Sequence, residues 1–219
     1  MDQKRINNRL PVAREGIPFI IIGTGLTSIF LILNWKFLAS PLAVLTLLII
    51  YFFRDPDRTL INEERAVLTP ADGKVISIEK LNNTDNRLKA PAIKISIFMS
   101  IFNAHINRIP IRGKIAQLSY HPGKFFSANR DKASLYNEHN IITLETDQRK
   151  KIVLIQIAGL IARRIVCWVK KGDLVETGQR FGLIRFGSRL EVYLPSDTTL
   201  MVKKGAKVKA GQTVIGYIR

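Results

Sequence analysis

The sequence is poor in cysteine, in histidine and in acidic residues. Its 219 residues include three histidines and one cysteine, Cys167. A single cysteine excludes an intrachain disulfide and fits a reducing compartment, and no Cys/His spacing indicates a metal site. Only 17 Asp and Glu residues face 34 Lys and Arg, a net charge of +17. This charge suits either nucleic acid or an anionic membrane surface.

Charge is absent from two stretches near the N-terminus, Gly16–Trp35 and Phe37–Phe53. Each approaches the about 17–25 residues that cross a bilayer core. The break around Lys36 is short, so residues 1–53 are predicted to form a membrane-anchoring helical hairpin that either spans the membrane or lies shallowly in it. A buried hairpin packed on the rest of the chain is the alternative. A signal peptide is disfavoured, because the first run is long and no small-residue cleavage site follows it.

Basic residues precede the hairpin, namely Lys4, Arg5, Arg9 and Arg14. Positive flanks stay on the cytoplasmic side of a membrane. The expected location is therefore the cell membrane, with both termini and residues 54–219 on the cytoplasmic side. A length of 219 residues leaves room for one domain after the anchor.

Residues 54–219 contain short alternating apolar runs separated by Gly, Pro, Asn and Asp, a pattern typical of a mainly β (α+β) domain. The clearest predicted strands are Val75–Ile78, Ala92–Phe98, Ile141–Glu145, Ile152–Ile157 and Leu190–Leu194.

A repeat of the form V-x-x-G-x-x-V-x-x-G-Q occurs twice, from Val169 and, 33 residues later, from Val202. Such units resemble the two halves of lipoyl and biotinyl carrier domains, which implies a barrel-sandwich fold. A carrier would present a modified lysine between the halves. This chain has Phe186–Arg189 there instead, without a lysine. A membrane-anchored carrier or assembly domain without catalysis is kept as the main alternative function, because it explains the repeat.

Ser188 follows Gly187 and begins one of the predicted strands. In a strand, alternate residues share a face, so Ser188 is predicted to point to the apolar side with Leu190, Val192 and Leu194. Glycine at position 187 removes the side chain that would hinder attack on its own carbonyl, and it tolerates strained backbone. A Gly-Ser pair that simply forms a turn is the plainer interpretation.

Seven short blocks occur in one order between about Phe52 and Pro195. They are Phe52–Pro56, Pro70–Val75, Phe98–Ser100 with Asn103–Arg108, His121–Phe125, Lys132–Ser134 with Asn137-Glu138, Ile157–Gly159 with Ala162–Ile165, and Arg185–Arg189. Together they resemble the short, archaeal-type branch of the pyruvoyl-dependent phosphatidylserine decarboxylase family.

The resemblance implies that the chain is a proenzyme that cleaves itself between Gly187 and Ser188. The products would be a large β chain, residues 1–187, and a small α chain, residues 188–219, which remain together as a heterodimer. Ser188 would become a covalent pyruvoyl group, which forms a Schiff base with phosphatidylserine and releases CO₂ to give phosphatidylethanolamine. The implied partners are the phospholipid substrate and the membrane, without nucleic acid or metal; lipid tails and further oligomerisation stay open.

His105 is the candidate for proton chemistry, since histidine titrates near neutral pH; a structural loop histidine is the alternative. The longer bacterial branch has a second histidine three residues further on, where this chain has Arg108, which leaves open what activates Ser188. Asp72 matches the Pro-Ala-Asp-Gly block and is expected either to orient His105 or to assist processing, unless it is a plain turn residue before Gly73.

The remaining candidates are weaker. His121 and His139 are expected in turns or on the surface. Arg163 and Arg164 are candidate ligands for a substrate phosphate or carboxylate, although paired arginines more often form a solvated face. A nucleic-acid-binding membrane protein is disfavoured, because aromatic residues do not alternate with Lys and Arg along a strand face.

Overall fold

The computed structural model describes residues 10–61, 63–82, 86–124, 136–159, 164–185 and 188–219. Two α-helices near the N-terminus precede fourteen β-strands in this part of the chain. The prediction of a mainly β fold with an N-terminal helix pair is confirmed.

The predicted hairpin consists of α1, Ile17–Ile32, and α2, Lys36–Phe52, after a 3₁₀ turn at Arg14–Gly16. The helices approach so closely that a Cβ on Gly23 would lie 2.5 Å from Thr46 Oγ1. At the far tip, Trp35 stacks on Phe30 with 6.0 Å between ring centroids.

Most side chains of the pair are apolar and exposed, which is typical of helices whose surroundings are lipid. By length and composition, the helical stretch Arg14–Ile32 could cross a membrane, whereas α2 is shorter.

The strands follow in chain order: β1 Ala66–Leu68, β2 Gly73–Leu81, β3 Ala92–Met99, β4 Ile106–Arg108, β5 Gly113–His121, β6 His139–Thr146, β7 Lys151–Ala158, β8 Ile165–Cys167, β9 Leu174–Val175, β10 Arg180–Ile184, β11 Ser188–Pro195, β12 Thr199–Leu200, β13 Lys207–Val208 and β14 Val214–Tyr217. The main sheet has the order β13-β2-β3-β11-β7-β6-β5-β9. Two three-stranded sheets, β1-β14-β12 and β4-β10-β8, accompany it.

The sequence repeat is also a repeat of backbone geometry. Gly172 and Gly205 both have φ +92°, and Gly178 and Gly211 have φ +75° and +71°. Glycine adopts these left-handed values without the steric cost that a Cβ imposes. The spacing of glycines in the two copies therefore reflects two equivalent pairs of turns.

The equivalent turns also have equivalent partners. At the first turn of each copy, Gly172 donates its N–H to Ile115 O and Gly205 donates to Val75 O, both at 2.8 Å. At the second turn, Gly178 donates to Ile109 O at 2.8 Å and Gly211 donates to Thr69 O at 2.9 Å. Partners of the second copy thus precede those of the first by 40 residues in the chain. Two quasi-equivalent halves are therefore joined through the main sheet.

The hairpin is not separate from the β core. Ala13, Phe52 and Phe53 are buried in the same hydrophobic cluster as β11 residues Leu190 and Val192. A boundary at residue 53 therefore cuts through packed side chains, and the polypeptide on either side of it shares one core.

Candidate active site

Ser188 lies at the start of β11, in the middle of the main sheet. It pairs with Met99 of β3 on one side and with Ala158 of β7 on the other. The residue is fully buried, and its Oγ has no hydrogen-bond partner among the described residues. Leaving a buried hydroxyl unpaired is costly, so this atom is a candidate for chemistry. The preceding Gly187 lies outside the described residues.

The predicted inward face of β11 is confirmed, because Leu190, Val192 and Leu194 are fully buried in the core. The opposite face is buried as well. Arg189 forms an ion pair with Glu191 at 2.9 Å and donates from Nη2 to Ser96 Oγ at 2.8 Å. Tyr193 also donates to Glu191, at 3.2 Å, and burial raises the pKa of the tyrosine. Buried contacts on both faces therefore fix the position of the strand that begins with Ser188.

His105 is buried immediately before β4, where its ring packs on Phe52 with 4.1 Å between centroids. Its Nδ1 lies 2.9 Å from Asn103 O. A carbonyl can only accept, so Nδ1 carries the hydrogen and Nε2 presents a lone pair. Nε2 is also buried, without a partner in the part of the chain that the structure describes.

Burial lowers the pKa of His105 from 6.5 to about 4, and the positive charge of Arg54 acts in the same direction. The hydrogen bond to Asn103 opposes this shift only in part. At neutral pH the imidazole is therefore uncharged. The lone pair on Nε2 is therefore available at neutral pH, on a ring whose low pKa makes it a weak base.

Two chain connections bring His105 and Ser188 to one end of the sheet. The loop after Met99, the cross-strand partner of Ser188, leads to His105. Ile106, next to His105, pairs with Leu183 of β10, the strand that precedes β11. The two orphan atoms, Oγ and Nε2, are not hydrogen-bonded to each other.

Asp72 lies at the same end of the sheet but binds other groups. Arg58 Nη2 donates to its Oδ2 and Ala210 N–H to its Oδ1, both at 2.7 Å. The carbonyl of Asn103, and not this carboxylate, orients His105. Asp72 therefore links the segment before β2 to the C-terminal repeat.

Arg108 is buried and acts as a tether. Its guanidinium donates to Gly178 O at 3.1 Å and to Pro56 O at 3.0 Å, and it lies 3.4 Å from Asp55 Oδ1. Burial and the nearby charge of Arg180 lower its pKa to about 10. It remains protonated at neutral pH and cannot act as the missing base.

The other two histidines meet at the same end of the sheet, where His121 and His139 stack with 4.8 Å between ring centroids. His139 begins β6 and is buried, so its expected turn or surface position is wrong. Strand pairing with His121 and a hydrogen bond to Asn137 O at 2.7 Å explain its burial. Arg164 is exposed, and Arg163 lies outside the described residues.

Three buried amide side chains near Ser188 were not among the site residues predicted from the sequence. Asn140 donates to Gln156 Oε1 at 3.0 Å, and Gln156 donates to Asn107 Oδ1 at 2.8 Å. Gln156 pairs across the strands with Leu190 and shares its face with Ser188. In the sequence, Gln156 is recognisable as the single polar residue inside the apolar run Ile152–Ile157. These amides form a hydrogen-bonded polar chain inside the protein, on the face of the sheet that carries Ser188.

Comparison with known proteins gives a consistent result. A family model described as phosphatidylserine decarboxylase matches residues 45–216. A protein of Desulfotalea psychrophila is 48% identical over 96% of this chain and 98% of its own length, and one of Geotalea uraniireducens is 47% identical over 97% and 99%. A third, from Syntrophus aciditrophicus, is 50% identical over 94% and 96%. Each is named phosphatidylserine decarboxylase proenzyme.

Proposed function

Since the chain belongs to the phosphatidylserine decarboxylase family, we propose that it is a membrane-attached proenzyme that cleaves itself at Gly187–Ser188 and then decarboxylates phosphatidylserine to phosphatidylethanolamine. The observation that carries the proposal is the Ser188 hydroxyl, which is fully buried and has no partner among the described residues. A serine that only ended a turn would be exposed or hydrogen-bonded. An orphan hydroxyl here fits a nucleophile whose target is its own peptide bond.

Self-cleavage begins when Ser188 Oγ attacks the carbonyl carbon of Gly187. The new C–O bond replaces the C–N bond, the Oγ proton moves to the released amine, and an ester joins the two residues. Loss of the Cα proton of residue 188 then breaks its Cβ–Oγ bond, and the carboxylate of Gly187 departs. The resulting dehydroalanine tautomerises, and water hydrolyses it to a pyruvoyl group with release of ammonia.

His105 supplies the base for this chemistry. Its resting state is neutral because its pKa lies near 4, and its Nε2 lone pair is free of hydrogen bonds to the described residues. It accepts a proton in the first step and donates only after it has accepted one. In decarboxylation, the same cycle takes a proton from the substrate ammonium and returns one to the carbon that loses CO₂.

A pyruvoyl group at position 188 would supply a ketone for condensation with the substrate amine and an electron sink for the loss of CO₂. The chain's own contribution is to hold residue 188. β11 is hydrogen-bonded to β3 and β7 along its length, and the buried Arg189–Glu191 pair follows directly. Residue 188 is therefore held in the sheet on one side of the cleaved bond.

The hairpin attaches the enzyme to the membrane, with the domain on the cytoplasmic side. Helices α1 and α2 leave apolar side chains exposed, which lipid would cover. Phe52, at the domain end of α2, stacks on His105. A lipid head group therefore meets the site close to the membrane, where exposed Arg164 is available to bind the phosphate or carboxylate.

The test is the intact mass of the purified protein together with a head-group assay. The wild-type chain should yield fragments 1–187 and 188–219, the smaller with a ketone terminus that reacts with hydroxylamine. Ser188→Ala should stay intact, fold, bind membranes and release no CO₂. Full-length wild-type protein that decarboxylates, or a Ser188→Ala chain that still cleaves, would overturn the mechanism. An intact, inactive wild-type chain would favour the carrier alternative.

A further inference from the structure

The loop between β3 and β4 exposes two large apolar side chains at the end of the sheet that carries Ser188 and His105. Ile101 is 47% exposed and Phe102 62%. The loop is held from within, because Asn103 Oδ1 accepts from Ser100 N–H and Oγ, both at 2.9 Å. Ile101 and Phe102 are thus presented outward by a fixed turn.

Arg54 fixes this loop to the end of the hairpin. Its Nη2 donates to Phe102 O and its Nη1 to Tyr51 O, both at 2.8 Å. The same guanidinium lies 3.9 Å from the centroid of the Tyr51 ring. Ile101 and Phe102 therefore keep a constant position relative to the domain end of α2.

The dimensions of the hairpin set the depth of that position. At about 1.5 Å per residue, α1 and α2 are each roughly 25 Å long, close to the thickness of a bilayer's hydrocarbon core. When the hairpin inserts from its tip at Trp35, its domain end, with Tyr51 and Arg54, reaches the level of the head groups. Tyrosine and arginine are typical residues of this level.

Arg164 lies at the same end of the domain, because its carbonyl accepts from Arg185 N–H at 3.3 Å and the Arg185 guanidinium lies 5.6 Å from the ring centroid of Phe19 in α1. We propose that this end of the domain docks on the head-group region of an anionic phospholipid bilayer, with Ile101 and Phe102 inserted and with Arg54 and Arg164 bound to lipid phosphates. The proposal rests on the membrane attachment in the proposed function. Cationic side chains beside exposed apolar ones match an anionic interface. Because Asn103 O also holds His105, the docking loop would fix the height of the site above the lipid.

A fluorescent label on single cysteines tests the contact in the full-length protein. In a Cys167→Ser background, NBD is attached at Phe102→Cys, at Ile29→Cys in α1 and at Leu174→Cys. Leu174 is 73% exposed but pairs with Lys114, at the opposite end of β5 from His121. It is therefore a matched apolar control on the far side of the domain.

The protein is reconstituted in vesicles of phosphatidylcholine with phosphatidylglycerol. The label at 102 should be quenched by nitroxide lipids and shielded from iodide, as at 29, whereas the label at 174 stays open to iodide. A label at 102 that behaves like the one at 174, while the one at 29 inserts, overturns docking and leaves the proposed function intact. Failure of the label at 29 to insert refutes the hairpin attachment itself. Equal insertion at 102 in pure phosphatidylcholine overturns the role of the arginines.

The ratio of decarboxylation on substrate in vesicles to decarboxylation on a soluble substrate gives a second measurement. Ile101→Ser with Phe102→Ser should cleave normally and act normally on a soluble short-chain substrate, yet lose about tenfold on substrate in vesicles, the effect of about 1.4 kcal/mol of lost binding. Leu174→Ser should change neither rate. Equal losses on both substrates would mean that the loop acts on the site directly, and an unchanged ratio would exclude docking through these side chains.

Discussion

Acidification should destabilise the folded protein through His105, and the size of the effect follows from its burial. The folded pKa is about 4 and the ordinary value 6.5, so the folded state binds a proton less readily than the unfolded chain. The stability associated with neutral His105 is fully present above pH 6.5 and is lost as the pH falls towards 4. Each tenfold difference in proton affinity corresponds to about 1.4 kcal/mol, which gives about 3 kcal/mol in total and about 2 kcal/mol by pH 5.

The measurement is denaturant unfolding at pH 8 and pH 5 in detergent, in a Ser188→Ala background that keeps one covalent chain. The comparison is with His105→Asn, whose amide nitrogen can replace Nδ1 as donor to Asn103 O but does not titrate. Carboxylates and His139 titrate in both proteins, so their effects cancel. Between the two pH values the parent should lose about 2 kcal/mol more than the Asn variant. Equal losses would show that His105 is not buried in its neutral form.

Three further predictions concern how the chain is held together. Arg108→Met should cost about 1–3 kcal/mol, because the carbonyls of Gly178 and Pro56 lose their donor, while Asp55 keeps Arg180 at 2.7 Å. Exposed Arg112→Met should cost less than about 1 kcal/mol, and equal unfolding midpoints of the two variants would contradict the tether. Replacing residues 18–48 by a short flexible linker should release from membranes a protein that still folds and cleaves. Deleting residues 1–53 should destabilise the protein, since losing a buried Phe side chain costs about 3–5 kcal/mol. Equal protease resistance of the two variants would refute the shared core. After cleavage, fragments 1–187 and 188–219 should co-elute from a sizing column and separate only in denaturant, because β11 lies hydrogen-bonded between two strands; separation in native buffer would refute this.

The sequence by itself determined the features that depend on local pattern. Alternation along Ser188–Leu194 identified the apolar face of β11, since neighbouring residues in a strand point to opposite sides. The uncharged runs identified the hairpin, because few other structures leave so many consecutive apolar residues without charge. The repeated spacing of valine and glycine identified two similar halves, because a repeated sequence pattern favours a repeated local structure.

Tertiary structure alone decided which distant groups meet. Asp72 binds the N–H of Ala210, 138 residues away, and no local pattern encodes such a pairing. The low pKa of His105 comes from burial against Phe52, at the end of a helix that the sequence assigns to the membrane. Arg189 and Glu191 carry charge and look exposed in sequence, yet each compensates the other inside the protein. Burial is a property of the whole packed chain, so the chemistry of a side chain that depends on burial emerges only when the fold is complete.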